Sequence, residues 1–252
     1  MRNIKLILAY DGTDYSGWQS QKNDSLPGTQ RTVQGEIEAS LQRMHLHPVK
    51  ITGAGRTDSG VHAAGQAANF HTNIESIKAE SFVPALNGIL PRDIRILKAE
   101  EVCKDFNARF DARKRTYRYF FISGRQIMPH ESRYAVYIRN FPSMGLLNSY
   151  CRILNGECDC TIFSNAGDSS LSHTRYIYNA VFFAENNRII FEISANAYLW
   201  KMVRSIAGTF IHYGQLGTSP EQMKEIIRSK NRSLAGKTLA PQGLFLWDVK
   251  FN

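Results

Sequence analysis

The sequence predicts an α+β protein built from two split-βαβ (ferredoxin- or RRM-like) units with largely antiparallel sheets. The first reason is order: β-rich runs and segments of helical periodicity follow one another as β-α-β-β-α-β. The second is repetition, because the second half runs through that order again with one extra helix. The third is composition: 252 residues, 43% hydrophobic and 21% charged, describe a globular chain with room for two ordinary cores.

Residues 3–10 are apolar and β-rich, a first strand. Residues 11–31 form a loop dense in Gly, Ser, Asp, Gln and Thr, and a loop of that length inside a compact domain is usually functional or mobile. Val33, Ile37, Leu41 and Met44 then recur at helical spacing behind Thr32, an N-cap residue type. Pro48 ends the helix, 49–52 is a second strand and 66–72 a third. A helix over 75–90, despite Pro84, and a strand over 94–102 complete the first round.

After a linker at 103–112, an aromatic strand occupies 116–122 and a helix 143–154, stopped by Asn155-Gly156. Residues 175–184 and 188–194 alternate in character across Glu185-Asn186-Asn187, a hairpin signal. Helices over 198–212 and 220–229 and a closing strand over 244–251 finish the chain. The domains expected are 1–105 and 106–252. The duplication rests on element order, since the halves share no residue-level repeat.

A formal net charge of +9 calls for an anionic partner, with nucleic acid first. The basic residues thicken in the folded-looking run Arg109–Arg118, which suits a groove better than a disordered arm. Cys103, Cys151, Cys158 and Cys160 fit no zinc spacing and are expected reduced. The histidines form no HxH or HExxH pattern, and there is no Walker A, GxGxxG or GxSxG. No apolar run is long enough to cross a bilayer, and the first residues enter a strand directly, so a cytoplasmic location is expected.

Two stretches draw attention as chemistry. Gly53-Ala54-Gly55-Arg56-Thr57-Asp58-Ser59-Gly60-Val61-His62-Ala63 places an aspartate in a glycine-braced loop between two strands. Such an aspartate is a turn former in most proteins and a catalyst in some. In the 198–212 helix, Arg204 shares a face with Trp200, Ala207 and Ile211, so either an anion meets it or its guanidinium snorkels to water. In the 116–122 strand, Tyr117, Tyr119 and Phe121 alternate with Thr116, Arg118 and Phe120, giving rings for base stacking or for the core.

The segment Gly55–Ala63 closely resembles the signature loop of the tRNA pseudouridine synthase A family. Tyr10–Gln19, Phe106–Phe110, Tyr117-Arg118-Tyr119, Met202-Val203-Arg204 with Gly208, and Ala240–Leu244 agree in order, from the first strand to the last. The resemblance implies a duplicated split-βαβ fold with an active-site cleft between the halves. It implies a homodimer that isomerises uridine to pseudouridine in the anticodon arm of tRNA, without metal or organic cofactor. Asp58 matches the family's catalytic aspartate and Arg204 the basic residue paired with it. Tyr117 matches the tyrosine that packs on the target uracil, Leu244 an apolar residue near the base, and Arg56 an arginine associated with extruding the nucleotide. The chain departs from the family pattern at Lys201, where His is common before Met-Val-Arg. It departs again at Gly156-Glu157-Cys158-Asp159-Cys160, where Gly-Glu-His-Asp-Phe is frequent.

These residue types suit the reaction. Breaking a C–N glycosidic bond and rejoining through carbon needs a nucleophile or base, and a carboxylate serves as either. Attack on the ring, attack on the sugar and abstraction of a ribose proton all remain open to Asp58. Two other readings compete: an RNA-binding module using the same basic face, and a carboxylate-based glycoside hydrolase. The module has no need of Asp58, and the hydrolase lacks a second carboxylate in a comparable loop.

Overall fold

The structure is a computed structural model that describes residues 1–19 and 31–251. Most of the long loop read at 11–31 therefore lies outside the described residues. The chain begins with β1 (Arg2–Tyr10), α1 (Val33–His45), β2 (Ile51–Gly53), β3 (His62–Thr72), α2 (Phe82–Asn87) and β4 (Ile94–Val102). There follow β5 (Lys114–Ile122), β6 (Val136–Tyr137), α3 (Met144–Leu154), β7 (Gly156–Asp159) and β8 (Thr174–Glu185). Last come β9 (Arg188–Ala195), α4 (Met202–Gln215), α5 (Pro220–Arg228) and β10 (Leu244–Lys250). The protein is α+β, and its strand pairings are mostly antiparallel. Among the described residues, no helix is long and apolar enough to cross a membrane.

The chain divides into two compact units, one of residues 1–113 together with the end of the chain from Phe245, the other of 114–244. The expected boundary at 105/106 and the expected placing of the closing strand both differ from this division. Side-chain amides explain the first difference. Asn3 donates Nδ2 to the carbonyls of Cys103, Lys104 and Phe106, at 3.1, 3.3 and 2.9 Å. Asn69 donates to Asn3 Oδ1 at 2.9 Å, and its own Oδ1 accepts the amide of Ala108 at 2.9 Å. The segment read as a linker is thus fastened to β1 and β3. The closing strand joins the same unit because Phe245 and Leu246 pair in parallel with His62 and Ala63.

In this first unit β4 pairs with β1, β1 with β3 and β3 with β2, all antiparallel. Alternation sends Ile4, Leu6 and Leu8 to one face, where they are wholly buried. Phe70, opposite Ile4, meets Phe82 of α2 at 5.5 Å and His45 of α1 at 6.1 Å, so both helices cover that face. Thr32 caps α1 by accepting from Gly35 N, and Val33, Ile37 and Leu41 bury its apolar stripe. Each such side chain contributes about 1.5–3 kcal/mol by leaving water.

The helix expected over 75–90 is only the six residues of α2, after a 3-10 turn at Ala79–Ser81. Pro84 has no N–H to give and its ring crowds the preceding turn, so it is tolerated only near a helix start. Asn87 then closes the end, exchanging two hydrogen bonds with the backbone of Ile96 at 2.9 and 2.8 Å.

The second unit orders its strands β5-β9-β8-β7, all antiparallel, with β6 parallel beside β5. Asn186 and Asn187 turn the β8–β9 hairpin with φ of 48° and 60°, the left-handed pair that a two-residue turn needs. Tyr119, Phe121, Tyr150, Phe163, Phe182, Phe191 and Phe210 fill the core. Arg118 faces Glu192 across the β5–β9 pair at 2.7 Å, so this arginine of the basic run is occupied. The 198–212 helix begins late, at Met202, because Lys201 takes φ 60° and breaks the turn before it. Trp200 consequently stands outside α4, 46% exposed, and the stripe that included it does not exist.

The amide network yields a prediction. Asn69→Ala strands the Ala108 amide and one Phe106 bond in a dry site, which costs about 2–3 kcal/mol. Urea titration should show a lower midpoint with an unchanged slope. An unchanged midpoint would contradict the anchoring role.

Candidate active site

Residues 54–61 link β2 to β3, and hydrogen bonds fix them at both ends. At the entry, Ala54 N bonds to Ala67 O at 2.7 Å, and the wholly buried Gln66 donates Nε2 to Gly55 O at 2.8 Å. At the exit, Val61 N bonds to Asp58 O at 3.1 Å. Gly60 turns the chain with φ 75°, a conformation that glycine adopts without strain. Arg56 is exposed, Thr57 buried and Asp58 half-buried.

The segment Tyr10–Trp18 forms the wall behind this loop. Trp18 N donates to Thr57 O at 3.1 Å, and Tyr10 and Thr57 join their hydroxyls at 2.8 Å. The carbonyl of Tyr15 accepts both Gly60 N at 3.3 Å and Ser59 Oγ at 3.2 Å. Two glycines let the backbones touch. A Cβ on Gly12 would lie 2.0 Å from Val61 O, and one on Gly17 2.6 Å from Thr57 O. Gly12 N donates to Nδ1 of the buried His62 at 3.0 Å, and that ring stacks on Phe245 at 4.5 Å. The result is a carboxylate on a loop whose neighbours on both sides are pinned. Such preorganisation favours a nucleophile or base, since small displacements of a reacting group are costly in rate.

Tyr15 is itself held. It is 2% exposed, its phenol donates to Asp93 Oδ1 at 2.6 Å, and Arg31 lies 4.4 Å over its ring. Arg31 also bonds Asp93 Oδ2 at 3.0 Å and Glu36 Oε1 at 2.7 Å. Burial, and then the Asp93 carboxylate, push the Tyr15 phenol well above the ordinary tyrosine range, so it stays a donor.

In the second unit, Tyr117 on β5 is 8% exposed and meets Tyr198 edge-on at 4.9 Å. Arg204, half-buried on α4, donates Nε to Leu239 O at 2.8 Å, and Leu239 N returns a bond to Arg204 O. Burial raises the Tyr119 phenol's pKa above the usual range, while the hydrogen-bonded Arg204 guanidinium works the other way. Tyr119 Oη also donates to Ala240 O, and a Cβ on Gly243 would lie 2.7 Å from Phe120 O. Arg204 and β5 thereby anchor the segment Leu239–Leu244, and Leu244 is 4% exposed at its end.

Tyr119, legible in sequence as a stacking or core ring, also seats this segment, as Tyr15 and Asp93 seat the loop. Tyr15 sits in the Tyr10–Gln19 motif, which was a usable signal. Asp93 had none. Among the described residues no group of three or more His, Cys, Asp or Glu is placed to hold a metal ion.

Comparison with known proteins adds the relatives. The tRNA pseudouridine synthase family matches residues 6–111 and 150–252. The tRNA pseudouridine synthase A of Treponema denticola is 52% identical over 99% of this chain and 93% of its own. That of Treponema pallidum (strain Nichols) is 44% identical, covering 94% and 84%. The Caldicellulosiruptor saccharolyticus protein of the same name is 41% identical, and the match covers 100% of both chains. A chain of a solved Cbf5-Nop10-Gar1 complex aligns at 10% identity and a TM-score of 0.31, over 83% of this chain and 53% of that one, and carries no argument. With the profile matched in both units and relatives above 40% identity along nearly the whole length, the chain belongs to the tRNA pseudouridine synthase family.

Proposed function

We propose that this chain isomerises uridine to pseudouridine in the anticodon arm of tRNA, with Asp58 as the catalytic carboxylate. Membership of the family makes it a tRNA-modifying isomerase. The observation that carries the assignment to Asp58 is the pinning of its loop, with Thr57 and Gly60 both bonded to the 10–18 wall.

The reaction is internally balanced. The bond from ribose C1′ to uracil N1 breaks, C1′ bonds to C5, C5 gives up its proton, and N1 gains one. Neither oxidant nor reductant is consumed. The target base must first leave its stack, at a cost of a few kcal/mol, and be held in the site. Within the same reading Arg204 serves as the basic partner of Asp58, Tyr117 packs on the uracil, Leu244 contributes apolar surface near the base, and Arg56 aids extrusion. The hydrogen bond from Arg204 to Leu239 O supports a fixed rather than a snorkelling guanidinium. The strand pairings of the first unit, β4-β1-β3-β2, support the split-βαβ reading. A net charge of +9 supports an RNA substrate. A homodimeric state, a cytoplasmic location and freedom from cofactors belong to the same proposal through the family resemblance.

Two substitutions test the assignment. Asp58→Ala should lower pseudouridine formation by about 10³-fold or more while tRNA binding and the unfolding midpoint stay in place. Activity at the wild-type level would remove Asp58 from the mechanism. Arg204→Met should cost roughly 10²-fold, as loss of a charged group fixed at a reacting centre does. An unchanged rate would leave Arg204 a purely structural residue.

A further inference from the structure

We propose that Tyr15, held by Asp93 and Arg31, is a positioning residue that sets the location of Asp58. The proposal rests on the reading of Asp58 as the catalytic group. Its basis is a chain of bonds that ends on both residues following Asp58. Ser59 Oγ and Gly60 N converge on one acceptor, the Tyr15 carbonyl, at 3.2 and 3.3 Å. Any shift of Tyr15 therefore moves the loop immediately beyond Asp58.

Tyr15 is fixed at three points, two on its ring and one on its backbone. Its hydroxyl donates to Asp93 at 2.6 Å, Arg31 covers its face, and its amide bonds Gly12 O at 3.1 Å. Asp93 is tied back in turn, its carbonyl accepting Asp11 N at 2.9 Å and its carboxylate accepting Arg31. Arg31 is locked between Asp93 and Glu36, and its own carbonyl accepts Ser16 N at 2.9 Å. A phenol–carboxylate–guanidinium arrangement therefore stands one residue away from the catalytic loop, on the side that touches its backbone. None of the three side chains is asked to meet substrate. Their effect passes through the position of Asp58.

Single-turnover kinetics with excess enzyme and unmodified tRNA test the idea, because the rate constant then reports chemistry rather than the amount of folded protein. Tyr15→Phe keeps the ring and loses the Asp93 bond; Asp93→Asn keeps the shape and loses the charge. Each should lower the rate constant by about tenfold with the tRNA Kd within about twofold of wild type, as misplacement of a reacting group does. The double variant should be little worse than either single one, since both act on the one Tyr15–Asp93–Arg31 arrangement. Wild-type rate constants in both single variants, or a raised Kd with an unchanged rate constant, would overturn the proposal. If Tyr15→Phe does not fold, Arg31→Gln carries the same test at a side chain 39% exposed. Asp58→Ala is measured alongside. Its retention of activity defeats the catalytic reading itself, whereas its inactivity beside full activity in the Tyr15 and Asp93 variants defeats only the positioning role.

Discussion

The approach of two backbones, 10–18 against 57–61, is the constraint on which the placing of Asp58 depends. Thr57 sends its carbonyl to Trp18 N and its hydroxyl to Tyr10, while Gly60 and Ser59 reach the carbonyl of Tyr15. Backbone can come that close only where side chains are missing, which is why Gly12 and Gly17 stand opposite Val61 O and Thr57 O. Asp58 gains a defined place without a rigid helix or strand beneath it. Local loop freedom is exchanged for an aspartate whose backbone is held before and after it.

The second unit solves a different problem with similar means. Segment 239–244 is a short 3-10 turn at Pro241–Gly243 leading into β10, and its neighbours hold it in place. Arg204 grips Leu239, Tyr119 grips Ala240, and Gly243 lies against Phe120. An aromatic core and one arginine thus fix the path into Leu244, as a glycine-lined wall fixes the path through Asp58.

Much of the fold was legible because the periodic signals are local. β1, α1, β4, the β8–β9 hairpin and α5 follow from alternation, helical spacing, the Asn186-Asn187 turn and Pro220 at a first turn. The differences have physical causes that act over distance or through one dihedral. Pro84 shortened α2, Lys201 delayed α4, and the amides of Asn3 and Asn69 drew residues 103–108 into the first unit. The four-residue β7 carries no periodic pattern and exists through its pairing with β8. Asp58, Arg56, Tyr117, Arg204 and Leu244 were found through motif resemblance. Tyr15 and Asp93, 78 positions apart, meet only in the folded chain.

The central claim is that this braced carboxylate belongs to an enzyme and not to a protein that merely holds RNA. Incubating the protein with unmodified tRNA and mapping pseudouridine at nucleotide resolution decides it most directly. Conversion of uridines in the anticodon arm, absent without the protein, is the predicted result. Retained binding of that tRNA with no pseudouridine at any position would contradict the account.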